Sequence, residues 1–255
     1  MELGALLLTA FIAGAITDLA TGLGVAPLLF VRRPSERVSG TFMSAAAGMM
    51  VAASLVQLVG EALHRTPWLG GADVCLGMLT GAVFFALATQ AVERNELLDF
   101  GKLRATGGKT ALLVVLAMTI HSLPEGVAVG IAYGSEEAAL GLAVALAIAV
   151  HNVPEGFAIA LALRPRGVSL HACFWWAVFT SLPQPIAAVP AAWAVWLFKP
   201  FLPAAMGFAA GAMLFLVVSD LLPDGTRQAG KTLASAGFVV GAVIMIVLGQ
   251  EVGLG

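Results

Sequence analysis

Long apolar runs separated by short polar segments recur along the whole chain. A helix needs about 20 largely apolar residues to cross a bilayer, and eight runs reach that length. The predicted spans are residues 3–30, 40–60, 74–92, 110–133, 138–163, 171–197, 202–222 and 232–250. The connections between them are too short for a folded domain. The pattern therefore predicts an all-α integral membrane protein with one transmembrane domain, residues 1–255.

The composition excludes a soluble protein. Hydrophobic residues make up 60% of the chain and charged residues only 11%, whereas roughly a quarter of the residues in a typical soluble domain are charged. The formal net charge is -2, and no basic cluster suits the phosphates of a nucleic acid. We therefore expect the lipid bilayer, and no nucleic acid, as the surroundings of the chain.

Positive charge falls almost entirely in every second connection. Eleven of the 13 Lys and Arg residues follow predicted spans 1, 3, 5 and 7, and only Arg65 and Lys199 lie on the opposite side. Because positively charged connections are retained in the cytoplasm, this asymmetry predicts that both termini are extracytoplasmic.

One motif occurs twice. Residues 121–126, His-Ser-Leu-Pro-Glu-Gly, reappear as residues 151–156, His-Asn-Val-Pro-Glu-Gly, after an offset of 30 residues. This offset places the two copies near the midpoints of adjacent antiparallel helices. The His and Glu of each copy are four residues apart and share a helix face. Imidazole nitrogens and carboxylate oxygens would then converge at mid-membrane, as in a transition-metal site.

The prolines of the motif have a separate role. Pro124 and Pro154 cannot donate a hydrogen bond to the carbonyl four residues back, so we expect the helix to open at each of them. The freed carbonyls and the side chains of Ser122 and Asn152 could then reach an ion or water.

Acidic residues within the predicted spans, in the absence of Lys and Arg there, favour a bound cation. The predicted spans contain no Lys or Arg but include Asp18, Glu125 and Glu155. An ionised carboxylate at the centre of a spanning helix costs about 2.5–3.5 kcal/mol on insertion scales. A cation bound between the carboxylates would offset that cost.

The chain resembles the ZIP (Zrt/Irt-like protein) family of metal transporters, in particular its bacterial GufA-like branch. The resemblance covers nearly the whole chain and rests on the repeated motif and on residues 17–24, 46–54, 180–185 and 208–224. It implies a bundle of eight transmembrane helices with a metal site between helices 4 and 5. It also implies transport of zinc into the cytoplasm by elevator-like alternating access, in a homodimer in the bacterial inner membrane.

The resemblance implies two adjoining ion positions. The first would be held by His121, Glu125, His151, Glu155 and Met50. The second would share the two glutamates and add Ser122, Asn152 and Gln184. Gln184 stands where this branch usually has glutamate, and Ser122 replaces the more usual asparagine. Two carboxylates balance one divalent ion, so we expect one tightly held ion and a weak second position.

Five further residues are candidates for the transport pathway. Asp220 and Asp224 could relay the ion to the cytoplasm, or they could be solvated charges at a helix end. Glu61 and His64 could attract incoming cations, or they could lie on a solvated face. Asp18 lies deeper and could be a ligand or a hydrogen-bonded structural acid.

The substrate and the class of activity leave alternatives open. Nitrogen, oxygen and thioether ligands suit zinc but also cadmium, iron(II), manganese and cobalt. We expect a transporter and not an enzyme. The alternatives are an intramembrane zinc metallohydrolase, in which the metal would activate water, and a metal-independent proton channel or exchanger.

Overall fold

The computed structural model describes residues 2–30, 35–65, 71–93, 109–164 and 167–251, and all regular structure in these ranges is helical. We number its elements α1 (Leu3–Phe30), α2 (Glu36–His64), α3 (Ala72–Glu93), α4 (Lys109–Gly134), α5 (Ala138–Leu163), α6 (Leu170–Leu197), α7 (Lys199–Ala229) and α8 (Lys231–Glu251). Seven of them are long and apolar enough to cross a membrane. The all-α class is thus confirmed. The eighth span coincides with α4, where the side chains of residues 109–118 lie outside the described part, and it stays a prediction.

Two helices are longer than the sequence predicts. Helix α2 begins at Glu36 and not at residue 40, because the Ser35 side chain accepts a hydrogen bond from Val38 N at 3.4 Å and caps the helix. Helix α7 continues beyond residue 222 to Ala229. Pro223 does not stop it, since proline is tolerated at the start of the new helical segment Leu222–Ala229.

The helices deviate from regular α-geometry at places that the sequence does not predict. Helix α6 is interrupted at Leu182, directly before Pro183. Helices α2 and α7 contain π-helical segments, Ala53–Val59 and Val217–Leu221. Pro124 and Pro154, where the sequence predicts an opening, lie inside α4 and α5, which continue through them as α-helix.

The helices pack as two units. The first unit consists of α1, α4, α5 and α6, and glycines set its closest contacts. A Cβ on Gly126 of α4 would lie 2.3 Å from the backbone oxygen of Gln184, and a Cβ on Gly156 of α5 would lie 1.7 Å from that of Thr21. Only glycine permits backbones to approach this closely.

The second unit consists of α2, α3, α7 and α8 and is built in the same way. A Cβ on Gly81 of α3 would lie 2.0 Å from the oxygen of Phe208 in α7, and a Cβ on Gly241 of α8 would lie 2.0 Å from that of Ala45 in α2. Among the described residues, every such close glycine contact between helices stays within one unit.

Apolar side chains form the boundary between the two units. Met49 and Ala52 of α2 pack in one cluster with Ala147 of α5 and Met245 of α8. Ile120 of α4 packs in a second cluster that contains Phe85 and Leu216. The helices within each unit are therefore held together by close backbone contacts, whereas the two units contact each other through side chains.

Arg65 and Lys199, which the sequence assigns to the extracytoplasmic side, lie at one end of the bundle. Arg65, after α2, donates to Glu137 Oε2 at 2.6 Å, and Lys199 pairs with Glu136. Both acids belong to the connection between α4 and α5. The hydrogen bond raises the pKa of Arg65 and lowers the pKa of Glu137. The Arg65–Glu137 ion pair thus joins the second unit to the first.

Candidate metal site

Helices α4 and α5 bring three side chains of the repeated motif together. Each of Glu125, His151 and Glu155 offers a ligand atom within 4.8 Å of those of the other two. All three side chains are buried, and His151 Nε2 lies 3.3 Å from Glu125 Oε1. This arrangement follows from the i, i+4 spacing within α5 and from the close packing of α5 on α4. One imidazole and two carboxylates form a donor set suited to a divalent transition metal.

The site contains buried oxygens with no hydrogen-bond partner among the described residues. These atoms are Glu155 Oε1 and Asn152 Oδ1. A buried polar atom without a partner is costly, and two neighbouring buried carboxylates repel each other when both are ionised. A cation placed among them would remove both penalties.

His121 lies apart from this cluster. It is buried on α4, but its Nε2 lies 3.9 Å from Asp220 Oδ2 in the π-helical segment of α7. Asp220 is partly exposed, with 41% of its side-chain surface accessible. The structure therefore groups three of the four predicted His and Glu ligands and turns the fourth toward the second unit.

Gln184 is held in a network of hydrogen bonds. Its Nε2 donates to Glu125 Oε2. Its Oε1 accepts from the Thr17 hydroxyl at 2.6 Å and lies 3.2 Å from Asn152 Nδ2, which also donates to the Thr17 carbonyl at 2.8 Å. Sequence reasoning missed Thr17. The available signal was the group of polar residues, Thr17, Asp18 and Thr21, within the apolar run of α1.

The other predicted ligands are buried, but none of their roles is tested by this geometry. Met50 packs in the main apolar core. Ser122 lies next to His121 on α4 and is also buried. Their metal-binding roles stay predictions.

The predicted pathway residues have different surroundings. Asp224 is partly exposed and pairs with Arg227 at 2.6 Å, whereas Glu61 pairs with Arg65. His64 is exposed at the end of α2. Asp18 is 5% exposed, and its Oδ1 has no hydrogen-bond partner among the described residues. Within this group, Asp220 is the residue that approaches a described side chain of the repeated motif, His121.

Comparisons with known proteins agree on one family. A family model described as "ZIP Zinc transporter" matches residues 97–249. The chain is 32% identical to the zinc transporter GufA of Myxococcus xanthus over 249 residues, which cover 95% of this chain and 98% of that protein. It is 38% identical to a putative zinc transporter of Arabidopsis thaliana over 227 residues, 89% of this chain. It is 43% identical to the zinc transporter ZIP11 of Homo sapiens over 166 residues, 61% of this chain. The matches span 36% of the Arabidopsis protein and 47% of the human one.

Proposed function

This chain belongs to the ZIP family, and we propose that it transports divalent transition-metal ions, zinc first among them, across a membrane. The observation that carries the proposal is the buried cluster of Glu125, His151 and Glu155. The buried oxygens without hydrogen-bond partners among the described residues beside it support the same substrate, as does the similarity to proteins named as zinc transporters. The metallohydrolase and the proton channel are not favoured, because the relatives are named as zinc transporters.

The cluster would replace part of the hydration shell of the ion. We propose that Glu125, His151 and Glu155 bind it directly, and that His121, Asn152, Ser122 and Met50 complete the coordination as the ion enters or leaves. Zinc accepts the nitrogen and oxygen donors of this set, and the thioether of Met50 adds a sulfur donor. Cadmium, iron(II), manganese and cobalt accept it to differing degrees, and we propose them as weaker substrates.

We propose that the ion moves toward the cytoplasm. The contact of His121 with Asp220 leads from the cluster toward the end of α7 that carries Asp224 and Arg227. The sequence assigns that end to the cytoplasmic side on the basis of its positive charge. In this proposal the protein lies in the bacterial inner membrane with both termini extracytoplasmic, and Asp220 receives the ion from His121.

Transport requires that the cluster open to one side of the membrane at a time. We propose that the first unit slides against the second in an elevator-like motion. The close glycine contacts within each unit and the apolar side chains between the units support this division. The homodimer implied by the family resemblance is part of the same proposal.

Uptake by proteoliposomes tests the proposed function. The full chain is reconstituted in liposomes that contain a fluorescent zinc indicator, and external zinc is added. We expect zinc accumulation above that of protein-free liposomes, reduced by external cadmium. No uptake by folded protein, or a proton flux that is independent of metal, would contradict the proposal.

Asp220→Asn tests the proposed exit step. We expect about tenfold slower zinc uptake, because the negative charge that would receive the ion is lost, with nearly unchanged zinc affinity in detergent. Glu36→Gln, which neutralises an exposed acid at the start of α2, is the matched control. Wild-type uptake by Asp220→Asn, or an equal loss of affinity and rate, would exclude Asp220 as a separate exit residue.

A further inference from the structure

We propose that Gln184 is a positioning residue and not a metal ligand, and that its amide, oriented by Thr17 and Asn152, holds one oxygen of Glu125 so that the site binds a single divalent ion. This inference rests on the proposed metal transport. It assigns Gln184 a role different from the one that the family resemblance implies, and it gives Thr17 a role in the site.

The backbone carbonyl of Thr17 determines the orientation of both amides. A carbonyl oxygen can only accept a hydrogen bond, so Asn152 must direct its Nδ2 toward it, at 2.8 Å. The same Nδ2 lies 3.2 Å from the Gln184 amide, which must therefore present its oxygen there. The nitrogen of Gln184 is then left to face Glu125, where it donates to Oε2.

The amide oxygen of Gln184 has no free acceptor position for a metal ion when the Thr17 hydroxyl donates to it. A carbonyl oxygen has two acceptor positions. Asn152 Nδ2 occupies one, and the Thr17 hydroxyl, 2.6 Å away, can occupy the other. This hydroxyl also lies 2.8 Å from the carbonyl oxygen of Gly14, so it donates its one proton to either acceptor. All of these groups belong to the first unit.

The hydrogen bond from Gln184 gives the two carboxylate oxygens of Glu125 different partners. Oε2 accepts from Gln184, while Oε1 lies 3.3 Å from His151 Nε2 in the cluster. One oxygen is thereby held toward α6, and the other is directed toward the ion. A carboxylate held in this way directs Oε1 into the cluster, and Oε2 keeps only one of its two acceptor positions, which disfavours a bridge to a second ion.

The backbone packing keeps Gln184 in place. A Cβ on Gly126 would lie 2.3 Å from the backbone oxygen of Gln184, and a Cβ on Gly14 would lie 2.7 Å from Cα of Pro185. Helices α1 and α4 therefore confine this segment of α6 on two sides. The Gln184 side chain is fully buried in this space.

Charge balance favours the same result. Glu125 and Glu155 together balance one divalent ion, and the neutral Gln184 contributes no third negative charge. A second divalent ion would leave two positive charges without counterions in a poorly polarisable setting.

Calorimetric titration of the purified full chain with Cd²⁺ tests the proposal. The variants are Gln184→Glu and two substitutions of Thr17. We expect one Cd²⁺ per wild-type chain. Gln184→Glu removes the amide donor to Glu125 and adds a negative charge, while the side chain keeps nearly the same shape. The number of Cd²⁺ ions bound per chain should therefore rise toward two. Thr17→Val removes the hydroxyl but keeps the shape, and we expect Cd²⁺ binding about 3- to 10-fold weaker, as for the loss of one buried hydrogen bond.

Thr17→Ser is the matched rescue, because it keeps the hydroxyl, and its Cd²⁺ affinity should stay close to that of the wild type. In uptake assays, Thr17→Val should raise the half-saturating zinc concentration more than it lowers the maximal rate. A general packing defect would not be rescued by serine. Gel filtration and circular dichroism establish that each variant is folded, and the Thr17 pair decides the matter even where Gln184→Glu fails to fold.

The outcomes separate this inference from the proposed function. Two equally tight Cd²⁺ ions in the wild type, or equal affinities of Thr17→Val and Thr17→Ser, would overturn the inference and leave metal transport standing. A folded wild-type chain that binds no Cd²⁺ or zinc would overturn the proposed function itself.

Discussion

Glu155→Gln is expected to lower zinc and cadmium affinity by about a hundredfold or more, because it removes one of the two buried carboxylates of the proposed site. Glu155 is buried, and its Oε1 has no hydrogen-bond partner among the described residues. Glutamine has nearly the same shape, so the change isolates the charge. Uptake into proteoliposomes should fall to the level of protein-free liposomes at micromolar zinc.

Glu36→Gln makes the same chemical change at an exposed position and serves as the control. It should bind zinc and transport it as the wild type does. Calorimetry in detergent measures binding, and the trapped zinc indicator measures uptake. A folded Glu155→Gln protein with wild-type affinity and uptake would remove Glu155 from the site and, with it, the main support for the proposed mechanism.

Gly156→Ala is expected to destabilise the first unit severely. The added Cβ would lie 1.7 Å from the backbone oxygen of Thr21, which belongs to another helix and cannot be displaced alone. Overpacking costs roughly 1–3 kcal/mol where neighbours can adjust, and here we expect about 3 kcal/mol or more. Helix α1 would have to move away from α5, and the hydrogen bond of Asn152 to Thr17 would be lost with it.

Thermal unfolding in detergent measures this effect. Gly4→Ala is the control, since a Cβ on Gly4 meets nothing within 4 Å. We expect Gly156→Ala to unfold at a clearly lower temperature and Gly4→Ala to unfold like the wild type. A Gly156→Ala protein with wild-type stability would show that α1 and α5 are not packed as described.

The sequence predicts the helices well because apolar length is a local property. Each run that is long enough to cross a bilayer corresponds to a helix. The predicted span that begins at residue 40 misses the true start of α2, because that start depends on the cap at Ser35. The π-helical segments Ala53–Val59 and Val217–Leu221 were not predicted. Their residues differ little from those of ordinary helix, and packing between helices determines where a turn widens.

The site is predictable to the extent that it depends on spacing within helices. The repeated motif predicts that α4 and α5 carry converging ligands, and Glu125, His151 and Glu155 do converge. The direction of His121 depends on the rotation of α4 against α7, which no local pattern specifies. The orientation of Gln184 depends on Thr17, which is 167 residues away in the sequence.

The Arg65–Glu137 ion pair has a consequence for turnover. It joins the two units at one end of the bundle, so the sliding motion proposed above would have to break it in every cycle. Exposed ion pairs contribute only about 0–1 kcal/mol, which corresponds to less than about a fivefold change in rate. The pair would therefore bias the resting conformation without halting the cycle. Because salt near 1 M shortens electrostatic range to about 3 Å, high external ionic strength should accelerate turnover and leave ion affinity nearly unchanged.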